Sequence, residues 1–85
     1  MALYRISYDL LNKKTFGEYE TLISELRRIG AKEVLFSEWV WKGENYSCKE
    51  MREHLKKFVH ADDRILVTLV SDWASRNAMF DINNL

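Results

Sequence analysis

The 85-residue chain predicts one α+β domain, a four-stranded antiparallel sheet with two helices on one face and a short C-terminal extension. Three observations predict it. Two Ser/Thr-x-x-Glu patterns, Thr15 to Glu18 and Ser47 to Glu50, each open a segment whose apolar residues recur at helical spacing. Segments rich in aromatic and β-branched residues lie before, between and after those helices. The chain has no proline and only three glycines, so nothing in it reads as a linker.

Residues 2–8 alternate as a first strand, with Tyr4, Ile6 and Tyr8 on one face and Leu3, Arg5, Ser7 and then Asp9 on the other. After "LLNKK", Thr15 caps a helix whose buried stripe is Tyr19, Leu22, Ile23, Leu26 and Ile29. Gly30 stands where a left-handed C-terminal residue is wanted. "AKEVLFSEWVWKGENY" is too long for one average strand, and reads as two strands broken near Ser37, closed by the turn Gly43-Glu44-Asn45. Ser47 then caps a second helix with Met51, Leu55, Phe58 and Val59 as its stripe and Glu53–Lys57 as an outer i,i+4 pair. "HADD" is a polar turn. Arg64 to Val70 is the last strand, and both of its faces are apolar, which is unusual for a sheet with water on one side.

The resulting order, β-α-β-β-α-β, is the split arrangement of ferredoxin-like folds. Residues 1–71 form the domain and 72–85 the extension, within which Asp72-Trp73-Ala74-Ser75-Arg76 could start a short helix. Both helices lie on one sheet face. The other needs a cover, and a two-fold homodimer pressing sheet to sheet is the economical one. Leu3 lies on that face. Trp39 and Trp41, which share one face of their strand, are expected as interface anchors; together with Trp73 they could alternatively stack single-stranded bases.

Composition bounds the function. Thirteen basic residues balance thirteen acidic ones, so no global field draws in nucleic acid, and any such role rests on local groups such as Lys13, Lys14, Arg27 and Arg28. No apolar run reaches the roughly 20 residues of a membrane span. Cys48 is the only cysteine, which excludes an intrachain disulfide and, with no signal-peptide pattern at the N-terminus, fits a cytoplasmic protein. The histidine spacing His54 to His60 is not that of a metal-binding helix face, and Asp62-Asp63 completes a turn rather than a ligand set.

"YRISYDL", "GAKEVLFSEWVWKG" and "DDRILVTLVSDWA" resemble the small CRISPR-associated adaptation protein that accompanies the CRISPR integrase, and more closely its short SinR-like relatives. Virulence-associated protein D ribonucleases are more distant cousins. The resemblance spans nearly the whole chain. It implies a homodimer in which the aspartate ending the first strand, here Asp9, lies near the two-fold axis and can hold a magnesium ion with its symmetry mate. It further implies metal-dependent cleavage of RNA or DNA in some members and a non-catalytic, nucleic-acid-gripping scaffold in others. The chain differs from the pattern at Ser37-Glu38-Trp39-Val40 and lacks the basic richness of DNA-gripping members.

Asp9 therefore reads in two ways. It is a strand-end residue bonding the backbone of the next loop, or it is the catalytic, magnesium-binding carboxylate of an endonuclease preferring RNA. In the second case Arg5, Ser7, Lys13 and Lys14 would steer phosphate, and Ser37 could stand beside a phosphate or a metal-bound water. The alternative is a dimeric module that binds protein or single-stranded RNA or DNA without cleaving it.

Overall fold

The computed structural model of the chain describes residues 2–11, 16–44 and 46–85, with backbone alone over 16–19. Four strands, β1 (Ala2–Asp9), β2 (Lys32–Leu35), β3 (Glu38–Gly43) and β4 (Arg64–Val70), form one antiparallel sheet in the order β2-β3-β1-β4. Two helices, α1 (Phe16–Arg28) and α2 (Cys48–Leu55), complete the ferredoxin-like βαββαβ order. A single 3-10 turn, Lys56–Phe58, extends α2.

The helix ends follow local chemistry. Ser47 Oγ accepts from Glu50 N–H at 3.0 Å, and Glu50 Oε1 accepts from Ser47 N–H at 2.9 Å, closing the expected capping box. The Thr15–Glu18 box falls outside the described residues. At the other end of α1, Gly30 adopts φ +87°. Its N–H donates to Arg27 C=O at 3.0 Å and Ala31 N–H donates to Leu26 C=O at 3.0 Å, a Schellman closure that only a left-handed residue permits cheaply. Glu53 pairs with Lys56 and Arg52 instead of the expected Lys57, because the 3-10 turn at Lys56 breaks the i,i+4 spacing.

Packing is one-sided. Ile6, Leu22, Leu26, Ala31, Trp39, Met51 and Leu55 make a continuous core between the helices and the sheet. The register pairs Tyr4 with Trp41 and Ile6 with Trp39 on β3, and with Leu69 and Val67 on β4. Those residues therefore share the helix-covered face. Trp39 is 3% exposed and its Nε1–H donates to Tyr8 Oη at 3.3 Å. Trp41 Nε1–H donates to Ile29 C=O at 2.9 Å, tying β3 to the end of α1. The expectation that Trp39 and Trp41 anchor a dimer through the open face is thus corrected. Their strand parity matches Ile6 rather than Ser7, and their indole donors are satisfied inside the molecule.

The second face carries Leu3, Arg5, Ser7 and Asp9 from β1, with Leu66, Thr68 and Val70 opposite on β4. Part of it is covered by the chain's own extension. Met79 N–H donates to Val34 C=O at 2.8 Å on the edge strand β2, so the segment after β4 crosses the whole sheet. Beneath it lies a groove of about 360 Å³ whose lining includes Leu3, Arg5, Leu35, Glu38, Val40 and Trp73. Val40, 2% exposed, is sealed by this crossing. The short helix expected at 72–76 is absent; residues 72–75 cross the sheet without regular structure and bends follow, Asn77 taking φ +56°, since a five-residue helix has too few internal bonds to form without packing. A 3-10 turn at Ile82–Asn84 ends the chain, capped by Asp81 Oδ1.

Candidate functional site

The open sheet face divides into a covered half and an uncovered half. The cross-strand row Leu66–Ser7–Glu38–Leu35 marks the boundary, with Glu38 and Leu35 lining the groove under the extension, and the uncovered half runs from it to Asp9 and Arg64. Alternation places Asp9 on this face with Leu3, Arg5 and Ser7, as β1 predicts. Asp9 lies opposite Arg64, whose Nη1 is 3.4 Å from Asp9 Oδ2; both side chains are more than half exposed. A pair this exposed adds little stability, so it neither demands nor forbids another partner for the carboxylate.

The structure adds a second carboxylate. Ser7 Oγ donates to Glu38 Oε1 at 3.1 Å across β1 and β3. Glu38 lies diagonally from Asp9, a relation that sets Cα atoms roughly 7–8 Å apart on an antiparallel pair. Spacing along the chain did not reveal Glu38 as a neighbour of Asp9. The signal was the break at Ser37, which sets the hairpin register and hence which β3 residue meets Ser7. Arg5, exposed on the same face, has no ion-pair partner among the described residues.

Ser37 lies where the sequence breaks the two strands. It is the second residue of the two-residue β2–β3 turn, with φ +61°. Its carbonyl accepts from Tyr8 N–H at 3.2 Å. That bond carries the β1–β3 ladder one step past its last strand pair and sets the Phe36-Ser37 turn beside Tyr8 and Asp9. Phe36 is 91% exposed. Lys13 and Lys14 fall outside the described residues. Leu3 is half-buried beneath the chain's own extension.

The loop that β1 enters is clipped from a distance. Asp63 accepts from Leu11 N–H at 2.9 Å through Oδ1 and from His60 N–H at 2.9 Å through Oδ2. "HADD" is accordingly a turn that fixes the exit of β1, and His60 is exposed on it.

A separate cluster sits on the helical side. Glu25 of α1 is the buried charged residue of the core, 6% exposed. It takes a bidentate contact from Arg28, with both N···O distances 2.6 Å, and a hydrogen bond with His54 Nε2 of α2. The Arg28 guanidinium, opposed by partial burial and assisted by His54, pulls the Glu25 carboxyl down to about 2. This arrangement ties α1 to α2. It lies across the sheet from Asp9, so it belongs to the scaffold and not to the open face.

Among the described residues no three His, Cys, Asp or Glu side chains approach closely enough to hold a metal ion together. The donors that one chain does offer on the open face, Asp9 and Glu38, are oxygens only. That chemistry suits magnesium, which is commonly held by one or two protein carboxylates with water and phosphate completing the shell. No described helix is long and apolar enough to cross a membrane. No protein-family model matches the chain.

Proposed function

We propose that the chain forms a homodimer through the uncovered half of its open sheet face and acts as a magnesium-dependent endonuclease on single-stranded RNA in preference to DNA. The observation that supports this reading is the gathering of two carboxylates, Asp9 and Glu38, with Ser7 and two guanidinium groups on one face of the sheet. Two copies of Asp9 brought near a two-fold axis repel one another unless a cation lies between them. Magnesium, when bound, supplies positive charge to the scissile phosphate. Asp9 is the ligand and Glu38, held by Ser7, is the second acidic group within reach. Arg64 and Arg5 bind phosphate oxygens as planar donors. Leu66, 57% exposed, and Leu35, 49% exposed, provide apolar area at the two edges of the proposed interface. The lone Cys48 suits such a dimer to a reducing cytoplasm.

A second reading, a dimeric binding module without catalysis, is favoured by the Asp9–Arg64 contact, which already gives the carboxylate a counter-charge. One experiment separates the two. Labelled single-stranded RNA is incubated with magnesium and either the natural chain or Asp9→Asn, while sedimentation reports the oligomeric state. Cleavage by the natural chain should fall on the order of 100-fold or more in Asp9→Asn, the scale for losing one preorganised electrostatic group. Equal cleavage by both proteins removes Asp9 from the chemistry. No cleavage by either leaves the binding module.

A further inference from the structure

We infer that the outer edge of β4 is an interface between two copies of this chain, which pair β4 with β4 antiparallel about a two-fold axis at Thr68 and so join their sheets. The inference goes beyond the reading above and does not rest on it. This contact runs along a strand edge, through backbone groups and side chains of both sheet faces, and not through the uncovered half of the open face. The two edges of the sheet are finished differently. β2 is four residues long, begins with Lys32-Glu33, pairs irregularly with β3, and has Val34 C=O taken by Met79 N–H of the extension. Short length, charge, irregularity and a covering segment are the usual guards against strand addition. β4 has none of them. It runs for seven residues without lysine or proline and keeps its register with β1 unbroken from Leu3–Val70 to Asp9–Arg64. β1 is its one neighbour in the sheet, and among the described residues no backbone hydrogen bond from a loop or from the extension reaches it. Leu69, on its helix-side face, is 62% exposed.

The residues of the edge select the occupant. Directly opposed residues of an antiparallel pair lie on the same face, so a two-fold between identical strands is centred on a residue and not between two. Centred on Thr68, the pairing sets Leu66 opposite Val70, Val67 opposite Leu69, and Thr68 opposite itself. Ile65 alone meets a polar residue, Ser71. The same register brings Arg64, the one charged residue of β4, to Asp72 of the other copy, two residues past the end of its strand. Asp72 is exposed and has no ion-pair partner among the described residues. Arg64 has five N–H donors, enough to keep its 3.4 Å contact with Asp9 and take a second carboxylate. A centre at Val67 instead sets Arg64 opposite Val70, Leu66 opposite Thr68 and Asp62 opposite Asp72. A centre at Leu69 sets Asp72 opposite Leu66. Of the three, the Thr68 register matches apolar with apolar, hydroxyl with hydroxyl and cation with anion, the pairings that stabilise neighbouring strands. A second copy of the chain carries all of these complements at once.

The test uses the full chain. Directly opposed residues set their Cα atoms roughly 4.5–5.5 Å apart, inside the range a disulfide spans. In a Cys48→Ser background, Thr68→Cys should therefore join its symmetry mate under a mild oxidant and run as a covalent dimer on a non-reducing gel. Leu69→Cys alone should not, while an equimolar mixture of Leu69→Cys and Val67→Cys should. Leu69→Lys puts a charge on a side chain that is already exposed, and should weaken self-association in sedimentation on the order of 10-fold. Circular dichroism checks that each variant folds. Association of Leu69→Lys equal to that of the natural chain overturns the inference, as does Thr68→Cys that cross-links no faster than Leu69→Cys. A natural chain that stays monomeric at every concentration overturns it too. If Leu69→Lys loses one step of association and remains a dimer, the edge contact stands and the face contact stands beside it. If Leu69→Lys falls to monomers, the edge contact stands and dimerisation through the open face falls.

Discussion

Replacing Glu25 with glutamine isolates one charge at the junction of the two helices. The carboxyl is drawn from an ordinary 4.5 to about 2, first by the Arg28 hydrogen bonds and then, against the cost of burial, by His54. At about 1.4 kcal/mol per pH unit that displacement corresponds to about 3 kcal/mol of folding stability. Solvent reduces it, because the Arg28 side chain is 65% exposed and its charge is well screened. A loss of about 1–2 kcal/mol in Glu25→Gln is the working figure, a fall of roughly 5–15 °C in Tm for a domain of this size. The sign follows from the lowered pKa. The contribution is complete above about 4.5, where the unfolded chain's carboxyl is ionised, and fades as pH drops toward about 2. Urea unfolding of both proteins at a series of pH values from about 7 down to about 2 measures the difference directly. That gap should be widest at neutral pH and close only as the pH falls to about 2. A gap of the same size at both ends of the series would refute the electrostatic account and assign the loss to packing.

Two further substitutions probe local structure. A Cβ on Gly43 would fall inside the Trp41 indole, which folds against the end of β3, so Gly43→Ala should cost about 1–3 kcal/mol in chemical denaturation and alter tryptophan fluorescence. Ser47→Ala removes the oxygen that accepts Glu50 N–H and should lower stability by about 1 kcal/mol, measured by thermal unfolding, with the sheet intact by circular dichroism.

Elements governed by near neighbours were legible before folding was considered. The Ser47 box and the Gly30 stop are set within four or five residues by backbone donors and acceptors that have no other partner. The break at Ser37 was legible for the same reason, since a polar pair inside a β-rich run favours a turn. Asp9 came out on the side of Ser7 because strand alternation has a period of two. Glu38 and Phe36 did not emerge as its neighbours, since their proximity depends on the hairpin register, which is a contact between strands and not a pattern along one.

The chain by itself determined the order of its elements, the Ser47 and Gly30 caps, and which side chains travel together on each strand. Tertiary structure alone decided which of two apolar faces turned toward the helices, so Trp39 and Trp41 went into the core. It likewise decided that the segment after β4, through Met79 and Val34, shields part of the face for which the sequence suggested a second molecule. The reason is physical. Periodicity labels the two sides of a strand as different from each other, but when both are apolar only packing volume and long-range hydrogen bonding select the one that is buried.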